Sequence, residues 1–220
     1  MEQQGTQQAT EATHMNGNHT EIGKIIGSNS HMDYLFEVYS QRERDDPPAP
    51  TDYELGQFVY VRKRIQEEAR GFVGVIYDTA IVDPDQGRAG PSLSPPEDQQ
   101  VFQPTYVDEK RVLAGIALLG SVTIDDNDEI IETDHSIPRW TLEVDDVVRK
   151  LPREDFEGFH EIGDEIRVEY YQRLVDVADD FAGDILSRIL DDLAEARPAE
   201  ADALQVIKRK VRWQTTMEDL

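Results

Sequence analysis

The residues best placed to grip another molecule lie near the C-terminus. Lys208-Arg209-Lys210-Val211-Arg212-Trp213 sets four cations and an aromatic together with no carboxylate among them. On a helix, Arg209 and Arg212 are three apart and Lys208 and Arg212 four apart, so they share a side. That pattern suits docking to an acidic partner or to a nucleic-acid phosphate. It equally suits two structural roles: complementing the negative end of a helix dipole, and pairing with Asp and Glu of a preceding helix.

The other polar spacings fall short of chemistry. Gly23-Lys24 is followed by Ile25 and preceded at position 18 by Asn, so the phosphate-cradling loop that needs a second glycine is absent. Lys24 reads as an outward strand residue. Neither G-x-G-x-x-G nor G-x-S-x-G occurs, which disfavours dinucleotide binding and the hydrolase nucleophile elbow. His160-Glu161-Ile162-Gly163-Asp164 starts like a zinc helix but has Asp where the second imidazole belongs. It reads as the start of a helix. Asp125-Asp126-Asn127-Asp128-Glu129 places Ile130 and Ser136 where a calcium loop needs Gly and Glu, and reads as a solvated turn. These spacings imply no cofactor, no metal and no catalytic residue.

Composition sets the frame for those residues. The 220 residues carry 46 Asp and Glu against 22 Lys and Arg, a net charge of -24. The excess is diffuse rather than a tail: residues 156–220 hold 16 of the acids and 8 of the bases. Diffuse acidity with few lysines fits a protein of a molar-salt cytoplasm, where screening removes self-repulsion. Mimicry of nucleic acid is the competing reading. There is no Cys, which excludes disulfide scaffolds and thiolate metal sites. No apolar run reaches the ~18 residues of a membrane helix, and residues 1–20 have no signal-peptide pattern. The expectation is a cytoplasmic protein that meets no membrane.

The elements that position these residues can be read from periodicity. Residues 1–20 are polar and predict a disordered tail. Ile22–Ser28 and Asp33–Val38 read as strands around the turn Asn29–Met32. A charged, proline-rich loop leads to a third strand from about Gly56 to Arg64, whose Phe58, Tyr60 and Arg62 alternate with Val59, Val61 and Lys63. A fourth runs from about Gly71 to Val82. Residues 83–108 form a long loop. Arg111–Ile124 is apolar at every register, which predicts a strand buried on both faces, and Gly115 and Gly120 argue against a helix there. A last strand is expected near Trp140–Val144. After about residue 148 the period becomes helical. Tyr171, Leu174, Ala178, Phe181, Ile185, Ile189 and Leu193 form one stripe, predicting a helix over about 164–195, with a second over about 198–213 after Pro198. The helices would form a hairpin on the sheet or a dimer surface. The fold class expected is α+β: a small closed antiparallel barrel of about six strands over 21–148, then an acidic helical region over 149–220.

Four segments carry a family likeness: Ile22-Gly23-Lys24-Ile25-Ile26-Gly27-Ser28, Asp33-Tyr34-Leu35-Phe36-Glu37-Val38, Leu55-Gly56-Gln57-Phe58-Val59-Tyr60-Val61 and Gly71-Phe72-Val73-Gly74-Val75-Ile76. They resemble the HAS barrel, the N-terminal barrel of HerA-type DNA translocases, which is related to the barrel that begins rotary ATP synthase catalytic subunits. Arg111–Ser121 and Ile137–Val144 would supply its later strands. In that family a RecA-like motor with Walker motifs follows the barrel. Here an acidic helical region follows, so ATP hydrolysis does not carry over. The resemblance implies the barrel's other role, ring assembly and docking of a nuclease in DNA-end processing.

The reading these observations favour is a non-enzymatic docking barrel that binds a HerA-like ATPase, its nuclease or another copy of itself. The turn Asn29–Met32 and the loop 83–108 are the expected contact rims. Lys208, Arg209, Lys210, Arg212 and Trp213 are the candidate partner or nucleic-acid contacts. A second reading is direct nucleic-acid binding by an OB-like module, which needs exposed aromatics beside cations; Phe58, Tyr60, Arg62 and Arg64 are its candidates in the barrel. A third is a metal-dependent hydrolase, for which the sequence supplies no ligand spacing.

Overall fold

Short runs of β-branched, aromatic and aliphatic residues pair around a ring because no single face of them can be left in water. The computed structural model describes residues 19–82, 111–125, 130–163 and 165–218, the last nine of these as backbone only. The strands are β1 (Glu21–Ser28), β2 (Asp33–Val38), β3 (Phe58–Ile65), β4 (Glu68–Val82), β5 (Arg111–Ile124), β6 (Ile130–Asp134) and β7 (Val147–Lys150). Among the described residues, six of them close an antiparallel barrel in the order β1-β7-β3-β4-β5-β2, with β2 pairing both β5 and β1. β6 lies outside the ring, paired to the C-terminal end of β5. The α+β class, a closed six-stranded barrel followed by helices, is as the residue pattern predicts.

Strand parity divides the apolar residues into two cores. Val59 and Val61 of β3, Phe72 and Ile76 of β4, and Ile116 and Leu118 of β5 turn inward, where they meet Ile22, Tyr34, Phe36 and Val148. The alternate residues Phe58, Tyr60, Val73, Val75, Ala117 and Leu119 face outward and are equally buried, beneath the helices. A sheet buried on one face shows polar alternation; one buried on both does not. That is why β5 reads as apolar at every register.

The covering helices are α1 (Arg153–His160), α2 (Tyr171–Ala178), α3 (Ala182–Ala196) and α4 (Ala201–Glu218), with a two-residue hairpin β8 (Glu161–Ile162) and β9 (Glu165–Ile166) between α1 and α2. Leu174, Ala178, Ile185, Ile189 and Leu193 of the predicted stripe are buried against the barrel, joined by Leu186 and Leu190. The single helix expected over about 164–195 is instead two. The chain breaks at Asp179, whose φ of +46° lies in the left-handed region that costs a non-glycine residue energy. The 3-10 turn that follows swings Phe181 off the stripe, leaving it 44% exposed.

The other correction concerns the last strand. Residues 140–144 are not a strand; the ring is closed by β7. Pro138 can donate no ladder hydrogen bond, and Asp145 has a φ of +71°, so the chain around 136–146 cannot lie flat in a sheet. It crosses the end of the barrel instead. The expected tail over 1–20, except residues 19 and 20, the expected loop over 83–108 and the expected turn over 125–129, except Asp125, lie outside the described residues.

One tight approach tests this architecture. At Gly120 in β5 a Cβ would lie 2.3 Å from the Asp134 carbonyl oxygen and 3.0 Å from the His135 Cα. Both are backbone atoms of the chain that leaves β6. Gly120→Ala is therefore expected to lower the urea midpoint by an amount equivalent to about 1–3 kcal/mol, with an unchanged slope. A midpoint equal to wild type would show that β6 is not seated on β5 in this register.

Candidate docking surface

The basic segment singled out by charge lies on α4, the last helix of a hairpin with α3. The structure divides it. Lys208 turns back into the molecule and donates to both carboxylate oxygens of Asp191 on α3, each at 2.6 Å. Arg209 is exposed and its Nε donates at 3.4 Å to the Gln205 carbonyl one turn earlier. Lys210, Arg212 and Trp213 lie on the helical backbone beyond the described side chains. Lys208 thus makes the pairing with a preceding helix that the charge pattern allows. The second basic set is rearranged too: Phe58 and Tyr60 are 4% and 3% exposed under the helices, so they present no aromatic platform beside Arg62 and Arg64.

A surface that the sequence pattern did not single out is the strap formed by residues 136–146. It leaves β6 and runs across the barrel end that carries the β1–β2 turn and the β3–β4 hairpin. Two backbone hydrogen bonds join Ile25 of β1 to Asp145 and Asp146, each at 2.9 Å, and four further contacts hold the strap. His31 Nε2 in the β1–β2 turn donates to the Pro138 carbonyl at 2.6 Å. The Arg70 guanidinium of β4 lies 5.0 Å from the centre of the Trp140 ring. The Leu142 side chain enters the barrel core, and its N–H donates to the Tyr34 hydroxyl at 3.2 Å. Lys63 of β3 bridges Glu143 at 2.7 Å and Asp146 at 2.8 Å. With Leu142 pinned inward, Ile137, Trp140 and Val144 are left 54%, 38% and 63% exposed. Tryptophan held on a fixed backbone is enriched at protein interfaces, and the exposed Ile137 and Val144 widen the apolar patch around it. The available signal was apolar residues recurring inside a proline-broken polar stretch, which reads as a weak strand until the anchors are known.

Just before the strap, a buried polar cluster that includes His135 fixes the helices to the barrel. His160 closes α1 rather than starting a helix, and it is fully buried. Its Nδ1–H donates to the Phe156 carbonyl at 2.7 Å. Its Nε2 accepts from the Tyr170 hydroxyl. Those partners fix a neutral imidazole, and burial pulls its pKa down to about 3. His135, at the end of β6, donates through Nε2 to the Phe159 carbonyl at 2.9 Å, and burial lowers its pKa as well. Arg173 of α2 donates to the Leu119 carbonyl at 2.9 Å and to the His135 carbonyl, joining α2, β5 and the residue that precedes the strap. Phe58 of β3 meets Phe156 of α1 edge-on at 4.9 Å. Close by, Asp155 has no exposed surface, and neither carboxylate oxygen has a hydrogen-bond partner among the described residues. Burial pushes it up to about 6, against the attraction of His19.

The model of a family described as "Domain of unknown function (DUF8166)" matches residues 6–220 of the chain. No curated protein matches it. Among the described residues, no helix is long and apolar enough to cross a membrane.

The cluster carries a pH signature. A histidine whose folded pKa lies below its ordinary 6.5 leaves the unfolded chain binding the proton more readily, so stability is full above about 6.5 and falls as the pH drops towards 3. Asp155 works the other way: raised from 3.8 to about 6, it favours the folded state as the pH falls through that interval. Between pH 6.5 and 4, the urea midpoint of His160→Gln is expected to fall less than that of wild type, and that of Asp155→Asn to fall more. Parallel curves for wild type and His160→Gln would remove the buried neutral imidazole.

Proposed function

The chain belongs to this family, and from its barrel and its exposed strap we propose that it is a non-enzymatic docking and assembly protein of a molar-salt cytoplasm. Its partners in this reading are a HerA-like ATPase and nuclease that process DNA ends. The likeness of Ile22–Val38, Leu55–Val61 and Gly71–Ile76 to the HAS barrel supports the choice of partner, since those segments form consecutive strands of a closed ring.

The observation that carries the docking role is the strap. Aromatic and aliphatic side chains fill the barrel interior, and the molecule's own helices cover the outer face of β3, β4 and β5. The strap instead holds Ile137, Trp140 and Val144 out in water. Several separate anchors keep it in place, so little conformational entropy is lost when a partner covers it. The diffuse acidity, at a net charge of -24, supports a working environment in which salt screens the repulsion between acidic surfaces.

Co-expression with the HerA-like ATPase and the nuclease of the same genome tests this. Size-exclusion chromatography with light scattering in molar salt is expected to show co-elution with at least one of them. Trp140→Ala combined with Val144→Glu should weaken that complex about tenfold or more while leaving the urea midpoint nearly unchanged. Separate elution from both proteins, together with a monomeric chain, would sink the docking role.

A further inference from the structure

The part of α4 whose side chains are described, residues 201–209, is joined to the molecule by a thin seam. Among its described side chains, Leu204 is buried, and four residues on, Lys208 grips Asp191. Those two positions make one line along the helix. Ala203, Val206, Ile207 and Arg209 lie off that line and face water, with Val206 59% and Ile207 39% exposed. Two adjacent β-branched residues in water within a helix contribute little to its own stability, since they are weaker helix formers than Ala, Leu or Lys. The family match nevertheless runs to residue 220, so the helix is part of the shared domain and not an appendage to it.

The charge of this helix is opposite to that of its surroundings. Residues 201–218 hold Lys208, Arg209, Lys210 and Arg212 against Asp202 and Glu218, in a chain of net charge -24. Inside the molecule the helix already shows the contact it prefers: an apolar side chain set into a neighbouring helix, with a cation closing on a carboxylate at its edge. Resting on the docking role above, we propose that the free face of α4, centred on Val206 and Ile207 and bordered by Arg209, lies in an apolar groove rimmed by carboxylates on a protein partner. The mode is that of an amphipathic helix in a groove. A phosphate backbone would pair the cations but leave both aliphatic side chains in water, so the apolar centre of the face selects a protein. The strap and α4 are then two separate contact surfaces.

Photo-crosslinking in the native host distinguishes them. Benzoylphenylalanine is placed in the full chain at position 206, at position 144 on the strap, and at the exposed Gln41 as a control. Position 206 is expected to crosslink to one protein, at a peptide in which Asp or Glu flanks apolar residues. With that protein purified, Arg209→Glu and Ile207→Glu should each cut affinity at least fivefold without changing the urea midpoint. A carboxylate-to-lysine change in the mapped peptide should restore binding to Arg209→Glu. Crosslinks from 144 alone would overturn the role of α4 and leave the docking reading standing; crosslinks from neither position would overturn both. Capture of nucleic acid or of a second copy at 206, or failure of the charge exchange to rescue, would also overturn the proposal.

Discussion

The structure depends on covering β3, β4 and β5 on both faces. A barrel of six short strands encloses only enough room for the inward set of side chains, among them Tyr34, Phe36, Phe72 and Ile116. The outward set on those three strands is just as apolar, including Phe58, Tyr60, Val75 and Leu119. Each such side chain stabilises the fold by about 1.5–3 kcal/mol when removed from water. Left bare, they would make a sticky flank. The helical stripe of Leu174, Ile185, Ile189 and Leu193 answers that face. Barrel and helices are therefore one cooperative unit in spite of their different periodicities.

An apolar seam of that size fixes contact but leaves helices free to slide. The hydrogen-bonded cluster of His160, Tyr170, His135 and Arg173 removes that freedom, because its donors and acceptors match in only one alignment. Arg173 reaches carbonyls on β5 and just beyond β6 at once, so α2 is tied to both. This also explains the strap. His135, just before it, is held in the cluster and its last residue, Asp146, is held by Lys63, which leaves the stretch between them crossing the barrel end with little choice of path.

Much of the barrel was legible because its signals are local. The period-two alternation of β3, the bounds of β1, β2 and β5, and the turn at Asn29–Met32 all follow from patterns within about ten residues. The apolar stripe of the helices was legible for the same reason. What could not be read depends on distant partners. The break at Asp179 and the switch of the closing strand from 140–144 to Val147–Lys150 are set by what packs against those residues. The aromatic pair Phe58 and Tyr60 shows the limit most clearly. Alternation with Val59 and Val61 assigns them to the other face of the strand, but only the helices, which begin at Arg153, decide that this face is dry. The candidate site was legible in the same partial way: the basic segment stood out by charge, whereas its division between Lys208 and Arg209 needed the position of Asp191.

The acidity of the chain bears on where a partner can bind. With 46 Asp and Glu against 22 Lys and Arg, carboxylates outnumber cations about two to one. The structure places many of the cations as ties between elements far apart in the chain. Lys150 reaches Asp52, Arg149 reaches Glu21, Arg188 reaches Glu54 and the Leu55 carbonyl, and Arg197 reaches Glu161. Exposed pairs of this kind contribute little each to stability, on the order of 0–1 kcal/mol. They do fix loops that would otherwise be driven outward by like charge. A surface built this way presents mostly carboxylates to the solvent, which at low salt disfavours close approach by acidic macromolecules. An apolar strap and an aliphatic helix face bordered by arginine are the two kinds of surface on which that repulsion is weakest. In the proposed role, selecting partners by those two surfaces requires that the buried cluster keep the strap in place and that the Lys208–Asp191 pair keep α4 in place.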